Sequence, residues 1–387
     1  MTRSPGPPSI LDCSRAELEA WCDAAGVPRY RAAQIATWLY RHGARDFAAM
    51  TNLPATLRDA LAAAFRVGLP ELLHVSRSFD GTRKLLLRLA DGATVESVLI
   101  PDQERLTLCV STQVGCAMGC GFCATATLGL GRHLGRGEIA GQFLVARALV
   151  VADLAASSER AASAEGAPIG PERITNMVFM GMGEPLHNYA GTVGAIDTLT
   201  SDWGVDFSHR RITVSTVGLL PEMQRLLADT QVNLAVSLTA IDQEVRRKIM
   251  PVSKKYPVEN LLATCRTLPL PRRKRITFEY VMLAGVNDAP TQAKALARAL
   301  AGIRCKVNLI PFNPFPGAAF GRSDDVAVAR FQDALRNAGV HATIRESRGP
   351  DIAAACGQLV AEGTARRPTA ATAAAADGTG LHEGDAR

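Results

Sequence analysis

The stretch Cys116-Ala-Met-Gly-Cys120-Gly-Phe-Cys123 places three thiols at offsets of zero, four and seven, with glycines between them. Thiolates select zinc, copper(I) or iron–sulfur clusters, and three ligands this close can reach one metal centre. No Cys or His occurs in the next nine residues to complete a closed site. The spacing therefore predicts a centre with an open position, such as a [4Fe-4S] cluster that activates a small molecule. The alternative is a structural zinc site that borrows a distant Cys or His.

The sequence around this stretch alternates between short apolar runs and helical patterns. The runs are rich in β-branched residues without strict polar alternation, which is typical of parallel strands covered on both faces. The alternation predicts an α/β fold, a complete or partial (β/α) barrel with its active site at the carboxyl ends of the strands. The predicted strands are Leu106–Ser111, Ile174–Met180, Arg211–Thr216, Val232–Leu238, Ile276–Met282, Lys306–Ile310 and His341–Arg345.

The regions on either side of the barrel differ from it in pattern. Ser14 followed by Glu17 predicts a capping box, which opens the first of three short helices. A period near two then predicts antiparallel strands joined by Asp-Gly turns. The predicted segments are a disordered start at 1–13, an N-terminal helical accessory domain at 14–72, an antiparallel β unit at 73–101, the barrel core at 102–362 and a disordered tail at 363–387. The Ala- and Ser-rich residues 152–172 are predicted to be a flexible insertion in the core.

Composition limits the class of protein. The chain has 387 residues, of which 47% are hydrophobic and 21% charged, as in globular domains. No apolar run approaches the roughly 20 residues of a membrane span, and the start lacks a signal-peptide core, so we expect a cytoplasmic protein without a membrane partner. The nine cysteines are too sparse for a disulfide scaffold. The formal charge of +6, clumped in runs such as Arg246-Arg247-Lys248, is compatible with a nucleic-acid partner or with a solvated face.

Polar or glycine-rich residues follow several predicted strands. Met180-Gly-Met-Gly-Glu-Pro185 follows the second, Ser215 ends the third, Ser237–Thr239 end the fourth, and Asn313 follows the sixth. Each alone could be a turn or a helix cap. Because the carboxyl ends of parallel strands share one rim, we expect these residues to line a common site with the cysteines.

The order and spacing of the motifs resemble the RlmN/Cfr family of radical-SAM RNA methyltransferases over about nine-tenths of the chain. The motifs that carry the resemblance are Val95–Pro101, Leu108–Cys116, Gly181–Pro185, Thr213–Gly218, Asn308–Pro314 and Asp351–Leu359. The resemblance implies a partial (β/α) barrel of the radical-SAM type with a small antiparallel β extension. It also implies two cofactors, a [4Fe-4S] cluster and S-adenosyl-L-methionine (SAM).

The resemblance assigns a role to each motif residue. It implies that Cys116, Cys120 and Cys123 ligate the cluster. It implies that Cys356 carries the methyl group, that Cys109 resolves the covalent intermediate and that Glu96 is the general base. The residues implied to surround SAM are Gly183, Glu184, Ser215, Ser237, Leu238, Thr239 and Asn313. Thr239 replaces the His that is usual in the family, and residues 124–133 also depart from the family pattern.

The implied activity is methylation of C2 of adenosine 2503 in naked or partly assembled 23S rRNA, with C2 of adenosine 37 in tRNAs as a further candidate. Adenine C2 is electron-poor and cannot displace a methyl group from SAM, whereas a thiolate can. A second thiol must then attack the sulfur that tethers the RNA to the enzyme, so two cysteines outside the cluster motif are chemically required. An electron donor such as flavodoxin or ferredoxin is implied, and we expect a monomer. The alternatives are methylation of C8 of the same base, as in Cfr, and an RNA-binding or assembly protein with a structural metal site.

Overall fold

The computed structural model describes residues 6–161 and 173–361. Within these ranges an N-terminal group of helices leads into a ten-stranded sheet, which is accompanied by a separate two-stranded ribbon. Of the predicted flexible insertion, residues 152–161 are helical, and the remainder lies outside the described residues. The predicted disordered tail lies outside them as well.

The N-terminal helices follow the capping and periodicity signals of the sequence. They are α1 (Arg15–Ala24), α2 (Tyr30–Ala36, continued as a π-helical turn over Thr37–His42) and α3 (Ala55–Ala64). The predicted capping box is present, because the Ser14 hydroxyl accepts from Glu17 N while the Glu17 carboxylate accepts from Ser14 N.

The prediction of disorder over residues 1–13 is wrong for the end of that segment. Ile10–Asp12 form a 3-10 turn, and both Ile10 and Leu11 are fully buried. The Ser9 hydroxyl donates to Val67 O at 2.9 Å, and Asp12 accepts from Gly137 N at 2.8 Å. The apolar pair thus finds a place in the core that a Pro-rich local composition did not indicate.

The antiparallel extension is continuous with the main sheet. Its strands are β1 (Glu71–Arg77), β2 (Arg83–Arg88) and β3 (Thr94–Asp102). Strand β3 pairs in antiparallel fashion with β4 (Arg105–Cys109), the first strand of the core. The predicted boundary at residue 73 therefore falls inside β1, and the extension forms one edge of the ten-stranded sheet.

The core sheet is parallel from β4 onward. The ribbon formed by β5 (Gln113–Gly115) and β6 (Leu130–His133) stands outside it. The parallel strands that follow β4 are β7 (Asn176–Phe179), β8 (Ile212–Thr216), β9 (Asn233–Ser237), β10 (Ile276–Met282), β11 (Cys305–Pro311) and β12 (Ala342–Ile344). They are hydrogen-bonded in chain order and the sheet does not close between β12 and β1, which confirms the α/β fold with a partial barrel.

Helices connect the parallel strands. They are α4 (Arg136–Ala161), α5 (Tyr189–Thr200), α6 (Leu220–Asp229), α7 (Gln243–Ile249), α8 (Val258–Thr267), α9 (Pro290–Ala299) and α10 (Asp325–Asn337). The sequence analysis named no helix between β7 and β8, where α5 lies. Buried residues are spread around much of α5, so its sequence has little of the polar–apolar period that reveals a surface helix.

Helix α4 corrects the expectation that no segment reaches the length of a membrane span. Its part Arg136–Ala156 is long and apolar enough by length and composition. Half of the most apolar window is buried inside the protein, and the buried Gln142 bonds both Ser97 and Ser111 of the sheet. We interpret α4 as a core helix, because these polar contacts tie it to the sheet.

Candidate active site

A cavity opens at the carboxyl ends of the parallel strands. It contains ≈ 890 Å³ of space between atoms, counting the solvent in its open mouth. Nine of the thirteen predicted site residues line it: Cys116, Cys120, Cys123, Gly183, Glu184, Ser215, Ser237, Asn313 and Cys356. The side chains of Glu96, Cys109, Leu238 and Thr239 do not line it.

The cysteine loop, residues 116–123, lies between β5 and β6, the two strands of the ribbon. Gly115 has a φ of 75°, and a Cβ there would lie 1.9 Å from Gly129 O, so only glycine fits where the ribbon enters the loop. Cys116 N donates to the same carbonyl at 2.8 Å. Farther along, Gly121 N donates to Ile249 O at 2.9 Å, which fastens the loop to the end of α7.

The thiols of the cysteine loop are suited to a soft metal centre. Cys116 and Cys120 are buried, and burial raises the pKa of Cys116 to about 12. Thiolates at such positions need bound metal to be stable, because coordination deprotonates a thiol outright. Within residues 6–161 and 173–361, no three Cys, His, Asp or Glu side chains are grouped to hold a single metal ion. As a donor set, three thiols fit a soft centre such as an iron–sulfur cluster, and the alternative structural zinc site stays open.

The loop after β7 supplies a buried carboxylate. Glu184 is 3% exposed, and its two oxygens accept from Leu186 N at 3.0 Å and Val217 N at 2.9 Å. Burial raises the pKa of Glu184 to about 7, against these hydrogen bonds. Gly183 is required by packing, since its φ is 99° and a Cβ would lie 2.6 Å from the Gln113 side chain. The carboxylate is thus fixed by backbone donors at the cavity wall.

Glu279 on β10 is a cavity residue that the sequence analysis missed. It is 4% exposed and lines the cavity, where the Ser215 hydroxyl donates to its carboxylate at 2.9 Å. Arg345, just after β12, lies 3.4 Å from the other carboxylate oxygen. A carboxylate inside the apolar run of β10 was the available signal, because such groups are rarely buried unless they are paired.

The Cys356 segment, residues 349–357, reaches the cavity with its last two residues, Cys356 and Gly357. Cys356 is solvent-exposed there, and Asn313 Nδ2 donates to its carbonyl at 3.1 Å. The neighbouring Gly357 carbonyl accepts from Ala124 N at 2.7 Å, directly after the cysteine loop. The structure therefore places Cys356 in the same cavity as the three cysteines of the loop.

Cys109, at the end of β4, lies behind the cavity wall. It is buried, and burial raises its pKa to about 12. The Cys356 thiol is close enough to raise the Cys109 pKa further by charge repulsion, while Arg345 opposes this effect. The two lone thiols are therefore electrostatically coupled and share one guanidinium.

Glu96 lies on β3, away from the cavity wall. It is 2% exposed, with one carboxylate oxygen 3.1 Å from Lys84 Nζ and the other accepting from Val360 N at 2.9 Å. Lys84 also donates to Ala353 O at 3.4 Å, inside the Cys356 segment. The carboxylate is thus linked to the chain on both sides of Cys356, through Lys84 to Ala353 and directly to Val360.

Leu238 and Thr239 are fully buried, and neither side chain reaches the cavity. Thr239 adopts a φ of 56°, which is costly for a β-branched residue, and its carbonyl accepts from Asn287 Nδ2 at 2.7 Å. Their backbone amides point to Glu279 O. A side-chain contact of either residue to a bound molecule finds no support in this arrangement.

The charge runs divide into exposed and buried members. Arg247 and Lys248 are exposed, but Arg246 in the same run is fully buried beneath the cavity rim. The sequence analysis treated the run as a solvated or phosphate-binding face, which is wrong for Arg246. Arg246 is buried because it lies on the inner face of α7. A run of like charges does not indicate which of its members faces inward.

Two family models match the chain. The model described as the ribosomal RNA large subunit methyltransferase N-terminal domain matches residues 9–67, and that of the radical SAM superfamily matches residues 110–295. These matches agree with the N-terminal helices and with most of the parallel core.

Curated relatives and a solved structure match over nearly the whole chain. A protein of Anaeromyxobacter dehalogenans is 48% identical over 96% of this chain and 97% of its own length, and one of Desulfosudis oleivorans is 46% identical over 92% and 91%. Both are named dual-specificity RNA methyltransferase RlmN. The crystal structure of a radical SAM methyltransferase from Sphaerobacter thermophilus is 45% identical, with a TM-score of 0.82 over 92% of this chain and all of that one. On this similarity, the chain belongs to the RlmN family of radical-SAM RNA methyltransferases and is an enzyme.

Proposed function

We propose that this enzyme methylates C2 of adenosine 2503 in naked or partly assembled 23S rRNA, and C2 of adenosine 37 in tRNAs. One observation carries the proposal: a lone thiol, Cys356, lies in the same cavity as the three thiols of the cysteine loop. A pure RNA-binding protein has no use for that arrangement. The names of the curated relatives support RNA as the substrate.

Cys116, Cys120 and Cys123 would hold a [4Fe-4S] cluster through their thiolates, with one iron left for SAM. When bound, the cluster and SAM supply a radical by one-electron reductive cleavage. The rim would hold SAM with the glycine-backed loop at Gly183 and Glu184, and with Ser215, Ser237 and Asn313. Contacts from Leu238 and Thr239 would have to come from their backbone, since both side chains are buried.

Cys356 would accept a methyl group from one SAM before RNA reacts. Its exposure at the cavity wall allows a methyl donor to approach the sulfur in line. Desolvation at the cavity wall raises the pKa of Cys356 to about 11, and the Arg345 guanidinium offsets part of this rise in favour of the nucleophilic thiolate. Asn313 holds the carbonyl of the same residue and so fixes where the sulfur points.

Release of the methylated base would use the two residues behind the wall. Glu96 would remove the proton from the modified carbon. The Cys109 thiolate would attack the sulfur of Cys356, so that a disulfide forms as the bond between that sulfur and the product carbon breaks. That carbon would keep the electron pair of the broken bond and take up a proton to become the methyl group. Burial of Cys109 delays this attack until the segment that carries Cys356 presents its sulfur.

The RNA would be gripped by the N-terminal helices and by exposed basic runs such as Arg272-Arg273-Lys274-Arg275. The target adenosine would have to be unstacked to reach the cavity. We propose a cytoplasmic monomer that receives electrons from flavodoxin or ferredoxin.

The test is methylation of rRNA fragments and tRNA by anaerobically purified enzyme with labelled SAM and dithionite, followed by mass spectrometry of the nucleosides. The expected product is 2-methyladenosine, from a brown protein with about four irons per chain. A product of 8-methyladenosine would establish the alternative carbon. A colourless, zinc-loaded protein without activity would establish the RNA-binding alternative.

A further inference from the structure

Arg246 is a fully buried arginine with only neutral hydrogen-bond partners. Its Nε donates to Leu238 O at 3.0 Å and its Nη2 to Ser237 O and Val217 O, each at 3.1 Å. Its Nη1 donates to the Ser253 hydroxyl at 2.8 Å. The guanidinium therefore clamps the carboxyl ends of β8 and β9 beneath the cavity rim.

The positive charge of Arg246 has no carboxylate to balance it. Among the described residues, every ion pair with Asp or Glu involves other cations. Burial lowers the pKa of Arg246 to about 10, so the group is still charged near neutral pH. An unpaired buried charge is costly, and proteins rarely keep one without an opposite charge nearby. The three backbone carbonyls offset only part of this cost.

The guanidinium lies beneath the cavity that the cysteine loop lines: Val217 and Ser237, whose carbonyls accept from Arg246, line that cavity together with the three cysteines of the loop. Burial lowers the pKa of Arg246, and the Cys120 and Cys265 thiols oppose this effect by charge attraction. The end of α7 contacts the same loop, because Ile249 O accepts from Gly121 N at 2.9 Å, and Met250 packs with Cys120 in one apolar cluster. The low polarity of this cluster strengthens any charge interaction across it.

We propose that Arg246 is the built-in counter-charge of the iron–sulfur cluster and favours its reduced form. This inference rests on the proposed function. Three thiolates outweigh the charge of an oxidised cluster core, so the centre is anionic, and one-electron reduction makes it more so. A fixed cation beside it stabilises the reduced state more than the oxidised one, and nearby charge is a known determinant of cluster potential. Arg246 thus acts through the cluster as a positioning residue, in addition to holding the rim.

The experiment is a redox titration of the full-length, cluster-loaded enzyme without SAM, followed by electron paramagnetic resonance. Arg246→Gln keeps a hydrogen-bond donor and removes the charge, and we expect at least a tenfold loss in the equilibrium for reduction, which is about 59 mV toward negative potential. Arg246→Lys keeps the charge and should restore most of the potential. Arg247→Gln is the matched control, because Arg247 is an exposed neighbour on the same helix. The reduction potential of the cluster in this variant should equal that in the parent protein.

A second pair of variants avoids removing the clamp. Ser253→Asp places a carboxylate where the guanidinium now meets a hydroxyl, so it should neutralise the charge and lower the potential. Ser253→Asn has nearly the same size without the charge and should leave the potential unchanged. This pair decides the question if Arg246→Gln fails to assemble a cluster.

Equal potentials in the parent, Arg246→Gln and Ser253→Asp would overturn the inference and leave the proposed function intact. Equal shifts of the reduction potential in Arg246→Gln and Arg246→Lys would also overturn the inference, because loss of the hydrogen-bonded clamp would then be the cause. A parent protein that never binds four irons would instead remove the proposed function, and this inference with it.

Discussion

The cysteine loop and the Cys356 segment both line the cavity but are built in opposite ways. The loop begins at a glycine that no other residue could replace, is fastened to α7 and packs in an apolar cluster. The Cys356 segment is irregular, with Ala353 at a φ of 49°, and polar contacts from Asn313 and Lys84 hold it.

This difference teaches how one cavity can combine two kinds of cysteine. Thiols that hold a cofactor need a rigid frame, because coordination geometry tolerates little displacement. A thiol that first accepts a methyl group and then meets a buried partner needs access and some freedom. The apolar packing of the cysteine loop provides the rigid frame, and the few polar contacts of the Cys356 segment leave its thiol accessible.

The largest expected effect comes from removing one cysteine of the cysteine loop or the cysteine of the Cys356 segment. Cys120→Ala should abolish both iron binding and methylation, because the cluster loses a ligand. Cys356→Ala should abolish methylation while the protein still binds about four irons. Iron analysis and nucleoside mass spectrometry measure the two outcomes. Loss of iron in Cys356→Ala would show that the two walls are not independent.

A glycine pair compares the rigidity of the walls directly. Gly115→Ala places a Cβ against the Gly129 carbonyl at a positive φ and should cost roughly 3 kcal/mol or more. Gly357→Ala, at a φ of 85°, places a Cβ 3.0 Å from Phe122 O and should cost about 1–2 kcal/mol. The free energy of unfolding from denaturant titration of the apoprotein measures both. Equal costs would contradict a stiffer cysteine loop.

Asn313→Ala tests the hold on the Cys356 segment. The amide donates to Cys356 O, so its loss should misplace the sulfur and lower the methylation rate by about tenfold to a hundredfold. Iron content should not change, because no ligand of the cysteine loop is touched. Gln358→Ala, which removes a bond from the same stretch to Pro314 O, is the control and should have a smaller effect. A drop in iron content would refute the separation of the walls.

The smallest effect concerns the pH dependence of the buried thiol. Burial raises the pKa of Cys109 to about 12, so below that value its thiolate fraction increases with pH. Alkylation of Cys109 in the folded apoprotein should therefore rise about tenfold per pH unit between pH 7 and pH 9. Cys356, which is exposed, should react first throughout. Mass spectrometry of peptides after timed iodoacetamide treatment follows both residues, and early labelling of Cys109 would contradict its placement.

Local patterns in the sequence were sufficient for much of the fold. The strand predicted at Ile276–Met282 is confirmed to the residue, and the capping box at Ser14 is present. Such features depend on residues a few positions apart, whose periodicity and side-chain hydrogen bonds act within one element. The same reasoning failed at Ile10 and Leu11, whose burial depends on a helix far along the chain.

The chemistry divides along the same line. The sequence alone determined the triplet of thiols and the rim of strand ends, because ligand spacing and parallel strands are written in neighbouring residues. Only the tertiary structure decided that Cys356 meets the cysteine loop, that Glu279 pairs with Arg345 and that Arg246 is buried among carbonyls. Those contacts join residues from distant strands, and their positions follow from how the whole sheet and its helices pack, which no local pattern records.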